Sequence, residues 1–337
     1  MISFDRNEEY YSMRHVLSSL VRTNIPERAG LLKDPAFPLV VRLGSSKSGS
    51  TLFSQVLGES GVVGHPTNVS ALFPSSAVLG TIVSELLTNR RYRNYGEFDS
   101  LYAGAQFQSV SGKTSGAGAP AEFWEFWLKF FSFPEVPIGP QDWSATADFA
   151  GFSREIRAII NVISKPFLLK GHHLSHYLEV FSNNVENCVF IHAVRDPLEV
   201  ILSTERARVV RYGDPDRFFG WKPLQYGLLE GLPRLIQIAG QYYWNERAIE
   251  ESAAQLGNRY LRVSYESLCA SPYDFVENVR SKLSEFSAIP LAEQTGQLPQ
   301  TFEPRKSDEV ARRTASSALS YWTERFGPAN VVSGDTG

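Results

Sequence analysis

This sequence has few cysteines, no long apolar run and only a small net charge. Only two cysteines, Cys188 and Cys269, occur in 337 residues. That is too few for a disulfide framework and favours a reducing compartment. No run of 18 apolar residues occurs, and the N-terminal residues are too polar and acidic for a secretory signal. The net charge of -3 gives no general attraction to nucleic acid or acidic membranes. We therefore expect a cytoplasmic protein without nucleic-acid or membrane partners, in which any anion site is local.

Four short apolar runs, separated by helical patterns, predict the fold class. They lie at 37–44, 165–170, 187–194 and 259–265. Runs of this kind are typical of buried parallel strands, so we predict an α/β fold with a parallel central sheet flanked by helices. The length suits one large domain or two small ones, and no convincing linker occurs. We predict a single domain over residues 1–328 and a frayed tail over residues 329–337.

The segment RLGSSKSGSTLF (42–53) has the glycine spacing of a phosphate-binding loop. Gly44 follows a predicted strand, and a predicted helix begins after Gly49. Backbone N–H groups and the helix dipole converge on such a turn and make it an anion site. In a nucleoside-triphosphate loop the lysine stands directly after the second glycine, whereas here Ser50 holds that place and Lys47 lies inside the loop. The alternative is a serine-rich turn without a ligand.

The segment FIHAVRDPLEVILSTERAR (190–208) combines the end of a strand with the start of a helix. Asp196 is a good helix N-cap, Pro197 suits the first helical position, and Glu199 stands where a capping-box acid belongs. Ser203 comes eight residues after Arg195, which is about two helical turns. The guanidinium and the hydroxyl are therefore predicted to hold one phosphate between them. The alternative is a capped surface helix whose arginine forms a salt bridge.

Three of the six histidines follow the second predicted strand, in LLKGHHLSHY (168–177). Lys170 ends that strand, so His172, His173 and His176 are expected at the sheet edge where ligands bind in such folds. Histidine titrates near neutral pH and is the usual general base. His172 and His176 are four residues apart and would suit a metal on a helix, but no HExxH pattern and no acidic cluster supplies further ligands. We expect no metal.

Together these segments resemble the PAPS-dependent sulfotransferase family, where PAPS is 3′-phosphoadenosine-5′-phosphosulfate. KSGST (47–51) resembles the family's loop for the 5′-phosphosulfate, and VRDPLEVILS (194–203) resembles its 3′-phosphate element. LLKGHHL (168–174) resembles the segment that carries a strand-end lysine and the catalytic histidine. LRVSYESLCASP (261–272) resembles the family's strand that ends in Tyr-Glu. The segments also stand in the family's order along the chain.

The resemblance implies a P-loop-containing, three-layer sulfotransferase fold and a role for named residues. The implied catalytic residues are His172, Lys47 and Lys170. The implied PAPS-binding residues are Lys47, Ser48, Gly49, Ser50, Thr51, Leu52, Arg195, Ser203, Tyr265, Arg305 and Lys306. The implied reaction is in-line transfer of a sulfuryl group to a hydroxyl or amine of a small-molecule acceptor, with His172 as the base. No metal is implied, because lysines and backbone dipoles take the place of Mg²⁺.

Some departures from the family pattern leave alternatives open for the nucleotide. Leu52 stands where many cytosolic members have an aromatic residue that stacks on adenine, and the resemblance places Tyr265 near the adenine. Phe53 and Trp221 are alternative partners for the base. The family's short dimerisation signature is not evident, so the oligomeric state is left open.

A second departure concerns the late basic segment EPRKSDEVARR (303–313). Arg305 and Lys306 match the family's Arg-Lys-Gly grip on the 3′-phosphate, but serine stands in place of the glycine. Arg312 and Arg313 therefore compete with them for the same role.

The acceptor is expected to be a small alcohol, phenol or amine. Aromatic segments at 89–98, 122–131 and 211–224 are candidates to line an apolar pocket, although 122–131 equally suits a helix that packs its aromatics on the sheet. Two other functions are considered. A P-loop small-molecule kinase needs a lysine directly after Gly49 and an acidic magnesium ligand, and neither is apparent. A non-catalytic nucleotide-binding protein is the other alternative.

Overall fold

The computed structural model describes residues 30–93, 95–101, 106–109 and 112–329, together with residues 12, 13 and 16. The predicted C-terminal tail lies outside the described residues except for Ala329, which is 6% exposed. The assignment of residues 1–328 to a single domain stays a prediction.

The described residues form a parallel sheet of four strands. In chain order the strands are β1 (Leu39–Leu43), β2 (Phe167–Lys170), β3 (Cys188–Val194) and β4 (Tyr260–Ser264). Their order in the sheet is β2-β1-β3-β4, and every neighbouring pair is parallel. All residues of β1, β2 and β3 are buried. Because successive side chains of a strand point to opposite faces, both faces of the sheet are covered. The predicted strands and the α/β class are confirmed.

Helices separate each strand from the next along the chain and also follow the last strand. They are α1 (Ser50–Glu59), α2 (Ala77–Thr88), α3 (Trp124–Leu128), α4 (Pro140–Ala145), α5 (Phe149–Ile163), α6 (Leu178–Asn184), α7 (Pro197–Tyr212), α8 (Arg234–Leu256), α9 (Tyr265–Ala270), α10 (Pro272–Ser284) and α11 (Glu309–Phe326). A 3₁₀ turn, His172–Leu174, follows β2. Within the described ranges, no helix has the length and apolar character needed to cross a membrane.

Local sequence explains where α1 and α7 begin. Asp196 caps α7 by accepting a hydrogen bond from the Leu198 N–H at 2.9 Å, and Pro197 takes the first helical position, both as predicted. Helix α7 ends at Gly213 in the left-handed conformation, with φ 66°. Helix α1 begins directly after Gly49, whose φ of 86° turns the chain out of the loop.

Among the described residues, the buried apolar side chains form two clusters. The larger one surrounds the sheet and contains the inner aromatics of segment 122–131, among them Phe126 and Trp127, each 0% exposed. For these two residues, the packing alternative is confirmed. The smaller cluster lies among α7, α8 and α11. There the buried Trp322 donates its Nε1–H to the Ile236 carbonyl at 2.7 Å, which satisfies the one polar group of its side chain.

Candidate active site

The carboxyl ends of the strands bring the predicted site segments to one edge of the sheet. The loop 44–49 follows β1, Lys170 ends β2, Arg195 follows β3 and Tyr265 follows β4. Strand register places Arg42 of β1 directly beside Lys170 of β2. This edge is where ligands bind in open parallel sheets.

The loop after β1 contains three residues in left-handed backbone conformation. Gly44, Lys47 and Gly49 have φ values of 117°, 72° and 86°. A side chain at Gly44 would collide with the carbonyl oxygen of Ala193 on β3, so the glycine lets the loop pass closely over the neighbouring strand. Lys47 is not a glycine, and its backbone conformation costs about 1–2 kcal/mol. Such conformations cluster at functional sites.

Ser48 braces the loop from within. Its Oγ donates to the Ser45 carbonyl at 2.7 Å and accepts from Nη2 of Arg42, and its N–H also points to the Ser45 carbonyl at 3.3 Å. Both donors of Ser48 are therefore used inside the protein, and a contact with a ligand stays a prediction. The next residues, Ser50 and Thr51, form the first turn of α1, where backbone N–H groups have no partner within the helix and suit an anion.

A buried carboxylate that the sequence did not predict holds the loop in place. Glu246 of α8 accepts from the Ser45 N–H at 2.7 Å, and its other oxygen accepts from Nε2 of His192 at 2.8 Å. Nδ1 of His192 bonds to the Tyr260 hydroxyl at 2.7 Å. Burial acts to raise the pKa of Glu246, but the interactions with His192 and Ser45 outweigh it and hold the pKa below its ordinary value. Glu246 is 201 residues from Ser45, so no local pattern indicates this role.

Arg42 is a second site residue that the sequence did not predict. It lies near the end of β1, is 0% exposed and contacts Ser48. Burial lowers the pKa of Arg42 to about 10, while nearby Glu246 raises it, so the guanidinium is charged at neutral pH. The feature of the sequence that could have indicated this role is that Arg42 is a charged residue within an otherwise apolar strand.

Tyr265 and Arg195 stack beside the second glycine of the loop. Cζ of Arg195 lies 4.5 Å from the centroid of the Tyr265 ring, a cation–π contact. Arg195 also donates to the carbonyls of Lys47 at 3.2 Å and Arg305 at 3.3 Å. A side chain at Gly49 would overlap the Tyr265 ring. Three predicted nucleotide-binding residues are therefore in direct contact.

Several cations gather around the loop. The pKa of Lys47 is lowered by burial first and then by the charges of Arg195 and Arg206. Arg206, which the sequence did not predict, stands three residues after Ser203 on α7 and so on the same face of that helix. Burial and then the charge of Arg305 lower its pKa. Like charges held together in this way favour the binding of an anion.

The late basic segment 303–313 packs against the start of α7. Glu199 accepts from the N–H and Oγ of Ser307 at 2.8 and 2.9 Å and from Arg312 at 2.9 Å. The capping-box prediction for Glu199 was therefore wrong, because its carboxylate binds this distant segment instead of its own helix start. Arg312 binds Asp196 as well, at 2.9 Å, and so is engaged by two acids.

Arg305 and Lys306 are exposed and line a cleft of about 1290 Å³ together with Arg195. Arg313 is exposed but is not among the residues that line the cleft. With Arg312 engaged by carboxylates, Arg305 and Lys306 are the better placed of the competing pairs to meet a phosphate.

Lys170 and His172 lie together at the end of β2. Lys170 is 5% exposed, and its Nζ has no hydrogen-bond partner among the described residues. Burial lowers the pKa of Lys170 to about 8, against the opposing effect of Glu122. The pKa of His172 is lowered to about 3 by burial and then by the charges of Arg42 and Lys170. The imidazole is therefore neutral at physiological pH and able to accept a proton.

An aromatic pocket of about 420 Å³ opens beside His172. Residues of segment 211–224 line it, including Trp221, whose ring centroid is 5.9 Å from that of His172. Trp124, from segment 122–131, packs on Trp221 at 4.8 Å. The described residues of 89–98 are not among the lining residues. A small acceptor in this pocket would face the imidazole of His172.

The alternative adenine partners lie away from the face of the loop that Tyr265 covers. Phe53 is 2% exposed and packs edge-on against Phe275 at 5.2 Å, so it has no free face for a base. Trp221 lies on the His172 side, in the aromatic pocket. Tyr265 is the predicted adenine partner that lies against the loop.

His176 stands four residues after His172, at the spacing that would suit a metal on a helix. Nε2 of His176 bonds to Oδ1 of Asn245 at 3.0 Å. In the part of the chain that the structure describes, no group of three or more His, Cys, Asp or Glu side chains is arranged to hold a metal ion.

Comparison with known proteins gives matches among solved structures. No family model and no curated protein sequence matches the chain. It is similar to sulfotransferase STF1 from Mycobacterium tuberculosis H37Rv at 14% identity and TM-score 0.48, covering 92% of this chain and 81% of that one. It is similar to the sulfotransferase domain of the Synechococcus PCC 7002 olefin synthase at 18% identity and TM-score 0.45, covering 90% and 97%. Sulfotransferase STF9 from Mycobacterium avium matches at 12% identity and TM-score 0.45, covering 90% and 71%. All three are sulfotransferases, the family that the motifs resemble.

Proposed function

We propose that the protein transfers a sulfuryl group from PAPS to a hydroxyl or amine of a small-molecule acceptor. The observation that carries the proposal is Lys170, a buried ammonium without a hydrogen-bond partner among the described residues, at the sheet edge beside the loop and His172. A buried charge is costly unless it is paired. A sulfuryl group held between the loop and His172 would supply the missing anion.

The arrangement of the other cations suits a nucleotide with anionic groups at both ends. The loop and the first turn of α1 offer N–H groups to the 5′ end. Arg195 and Ser203, with Arg305 nearby, offer a guanidinium and a hydroxyl to a 3′-phosphate. Burial and then the charges of Arg195 and Arg206 lower the pKa of Lys47, so an anion bound there would be stabilised by these cations and would stabilise them in turn.

Bound PAPS would supply the activated sulfuryl group and the departing phosphate, and His172 would take the proton of the acceptor. A pKa of about 3 keeps His172 neutral but makes it a weak base. An anion beside Lys170 and Arg42 offsets two of the causes of that low pKa, so His172 becomes a stronger base when the site is filled. A base within hydrogen-bond reach contributes about 10²–10⁴-fold to the rate.

The remaining groups would stabilise charge as the bond to sulfur breaks. Lys47 and the N–H groups of the loop would meet the leaving oxygen, where donors held in place act like an oxyanion hole. Lys170 would meet the sulfuryl oxygens. In this scheme the protein provides positioning and fixed charges, and His172 is the one group that changes its protonation state.

A transfer assay with radiolabelled PAPS and a panel of small alcohols, phenols and amines tests the proposal. We expect labelled product with the wild type and none with His172→Ala, whereas both should bind adenosine 3′,5′-bisphosphate equally. The proposal is wrong if no acceptor is labelled. If His172→Ala turns over like the wild type, another residue is the base.

Calorimetry separates this function from the two alternatives. We expect adenosine 3′,5′-bisphosphate to bind without any metal ion. Binding of ATP that depends on Mg²⁺ would favour a kinase instead. Bisphosphate binding without transfer to any acceptor would favour a non-catalytic nucleotide-binding protein.

A further inference from the structure

His173, the neighbour of the proposed base, is a buried polar group without a polar partner. It is 5% exposed, and neither ring nitrogen has a hydrogen-bond partner among the described residues. A buried donor or acceptor left unpaired costs about 1–3 kcal/mol. Such a group in a native structure calls for an explanation.

The rings packed around His173 are aromatic. Their centroids lie 4.5 Å (Trp127), 4.6 Å (Phe133), 5.4 Å (Trp124) and 5.6 Å (Trp221) from that of His173. None of these rings has an oxygen to offer to the imidazole. His173 does, however, line the pocket of about 420 Å³ that His172 also lines, and the two imidazole centroids are 5.6 Å apart.

Several other polar groups of the pocket have partners or are exposed. His176 bonds to Asn245 at 3.0 Å, and Lys222 bonds to Glu135 at 3.1 Å. Arg217 is exposed and lies over the ring of Tyr212, 4.3 Å from its centroid. Burial holds the pKa of His173 well below its ordinary value, so its ring is neutral and has one donor and one acceptor to offer.

We propose that His173 is a specificity-determining residue, which hydrogen-bonds to a second hydroxyl of a flat aromatic acceptor whose first hydroxyl faces His172. This inference rests on the proposed function. A neutral imidazole suits a hydroxyl, which can both donate and accept, and the walls formed by Phe133 and Trp221 suit a flat ring. An acceptor without the second hydroxyl leaves the imidazole unpaired and is disfavoured for that reason.

Two probes that differ by one hydroxyl test this inference, namely 2-naphthol and 2,3-dihydroxynaphthalene. Calorimetry measures the binding of each, and the transfer assay gives kcat/KM. We expect the wild type to favour the diol by about tenfold or more, which corresponds to one hydrogen bond regained in a buried site. His173→Phe should bind both probes with the affinity that the wild type has for 2-naphthol. His173→Gln, which keeps a donor and an acceptor, should restore part of the preference for the diol.

One further variant covers the case of a variant that does not fold, and another serves as a control. His173→Leu provides a second apolar replacement if His173→Phe does not fold. His65→Gln is a matched control, because His65 is a partly buried histidine that bonds to the Pro66 carbonyl at 3.1 Å and does not line the pocket. It should leave the affinity for both probes unchanged.

Equal affinity of the wild type for the two probes, or binding of neither, overturns the inference. So does a preference for the diol that persists in both apolar variants, since the imidazole would then be satisfied by N–H contacts with aromatic faces such as that of Trp127. The wild type could also prefer the diol through His173 and yet transfer no sulfuryl group. That result would support the binding role of His173 and count against the proposed function alone.

Discussion

Replacing Gly49 with alanine is expected to damage nucleotide binding as well as stability. Gly49 has φ 86°, and a residue with a side chain pays about 1–2 kcal/mol in this conformation. A Cβ would also overlap the ring of Tyr265, so the ring must move. Its movement removes the cation–π contact that holds Arg195, whose Cζ lies 4.5 Å from the ring centroid. If Arg195 then loses one charged hydrogen bond to the 3′-phosphate, binding weakens by about 1.5–3 kcal/mol, which corresponds to about 10- to 150-fold in Kd.

Gly213 supplies a matched control for this substitution. It has φ 66° at the end of α7, and a Cβ there would meet no atom within 4 Å. Gly213→Ala should therefore lose a similar backbone contribution in urea unfolding, yet bind adenosine 3′,5′-bisphosphate like the wild type in calorimetry. The double variant Gly49→Ala/Tyr265→Ala should be more stable than Gly49→Ala, because the overlap is gone. Equal bisphosphate affinity of Gly49→Ala and Gly213→Ala would refute the reasoning.

Three further predictions concern single charges. The affinity of the wild type for PAPS should fall as the pH rises through about 8, where Lys170 loses its proton. Lys170→Met should abolish this pH dependence. Calorimetry on both sides of that pH measures the affinity, and a wild-type affinity that does not change with pH would contradict the prediction. Arg195→Ala should weaken the binding of adenosine 3′,5′-bisphosphate far more than the binding of 5′-AMP. Equal losses of affinity would show that Arg195 does not bind the 3′-phosphate. Glu246→Gln should lower the free energy of unfolding by about 1–3 kcal/mol in a denaturant titration, because the hydrogen bonds from Ser45 and His192 lose their charged acceptor. Unchanged stability would contradict the role of Glu246 in holding the loop.

The parts of the fold that depend on neighbouring residues could be predicted from the sequence. Buried parallel strands are continuous apolar runs, and all four were found within two residues of their observed ends. Asp196 and Pro197 mark a helix start because the cap and the fixed φ act within one turn. The order of motifs then placed Lys170 and Arg195 at strand ends, and parallel strands end at one edge of the sheet.

The parts that depend on distant contacts could not be predicted in this way. Glu199 satisfied the spacing of a capping box, but Ser307 and Arg312, more than 100 residues away, take its carboxylate. Arg206 has no motif of its own and matters because α7 carries it to the same side as Lys47. Spacing along the chain cannot decide between a local and a distant hydrogen-bond partner when both are chemically suitable.

The charges at the loop divide into two sets with different effects. Arg42 and Glu246 are both buried and of opposite sign; burial lowers the pKa of Arg42, and Glu246 opposes this effect. Each of them shapes the loop by holding one of its serines. Lys47, Arg195 and Arg206 have the same sign, and the last two lower the pKa of the first, so their fields add and attract an anion. The stretches that resemble the family, KSGST (47–51) and VRDPLEVILS (194–203), contain Lys47 and Arg195 of the second set and neither member of the first. These stretches therefore predict an anion site at this edge of the sheet, whereas the shape of the loop depends on a carboxylate 201 residues away from Ser45 along the chain.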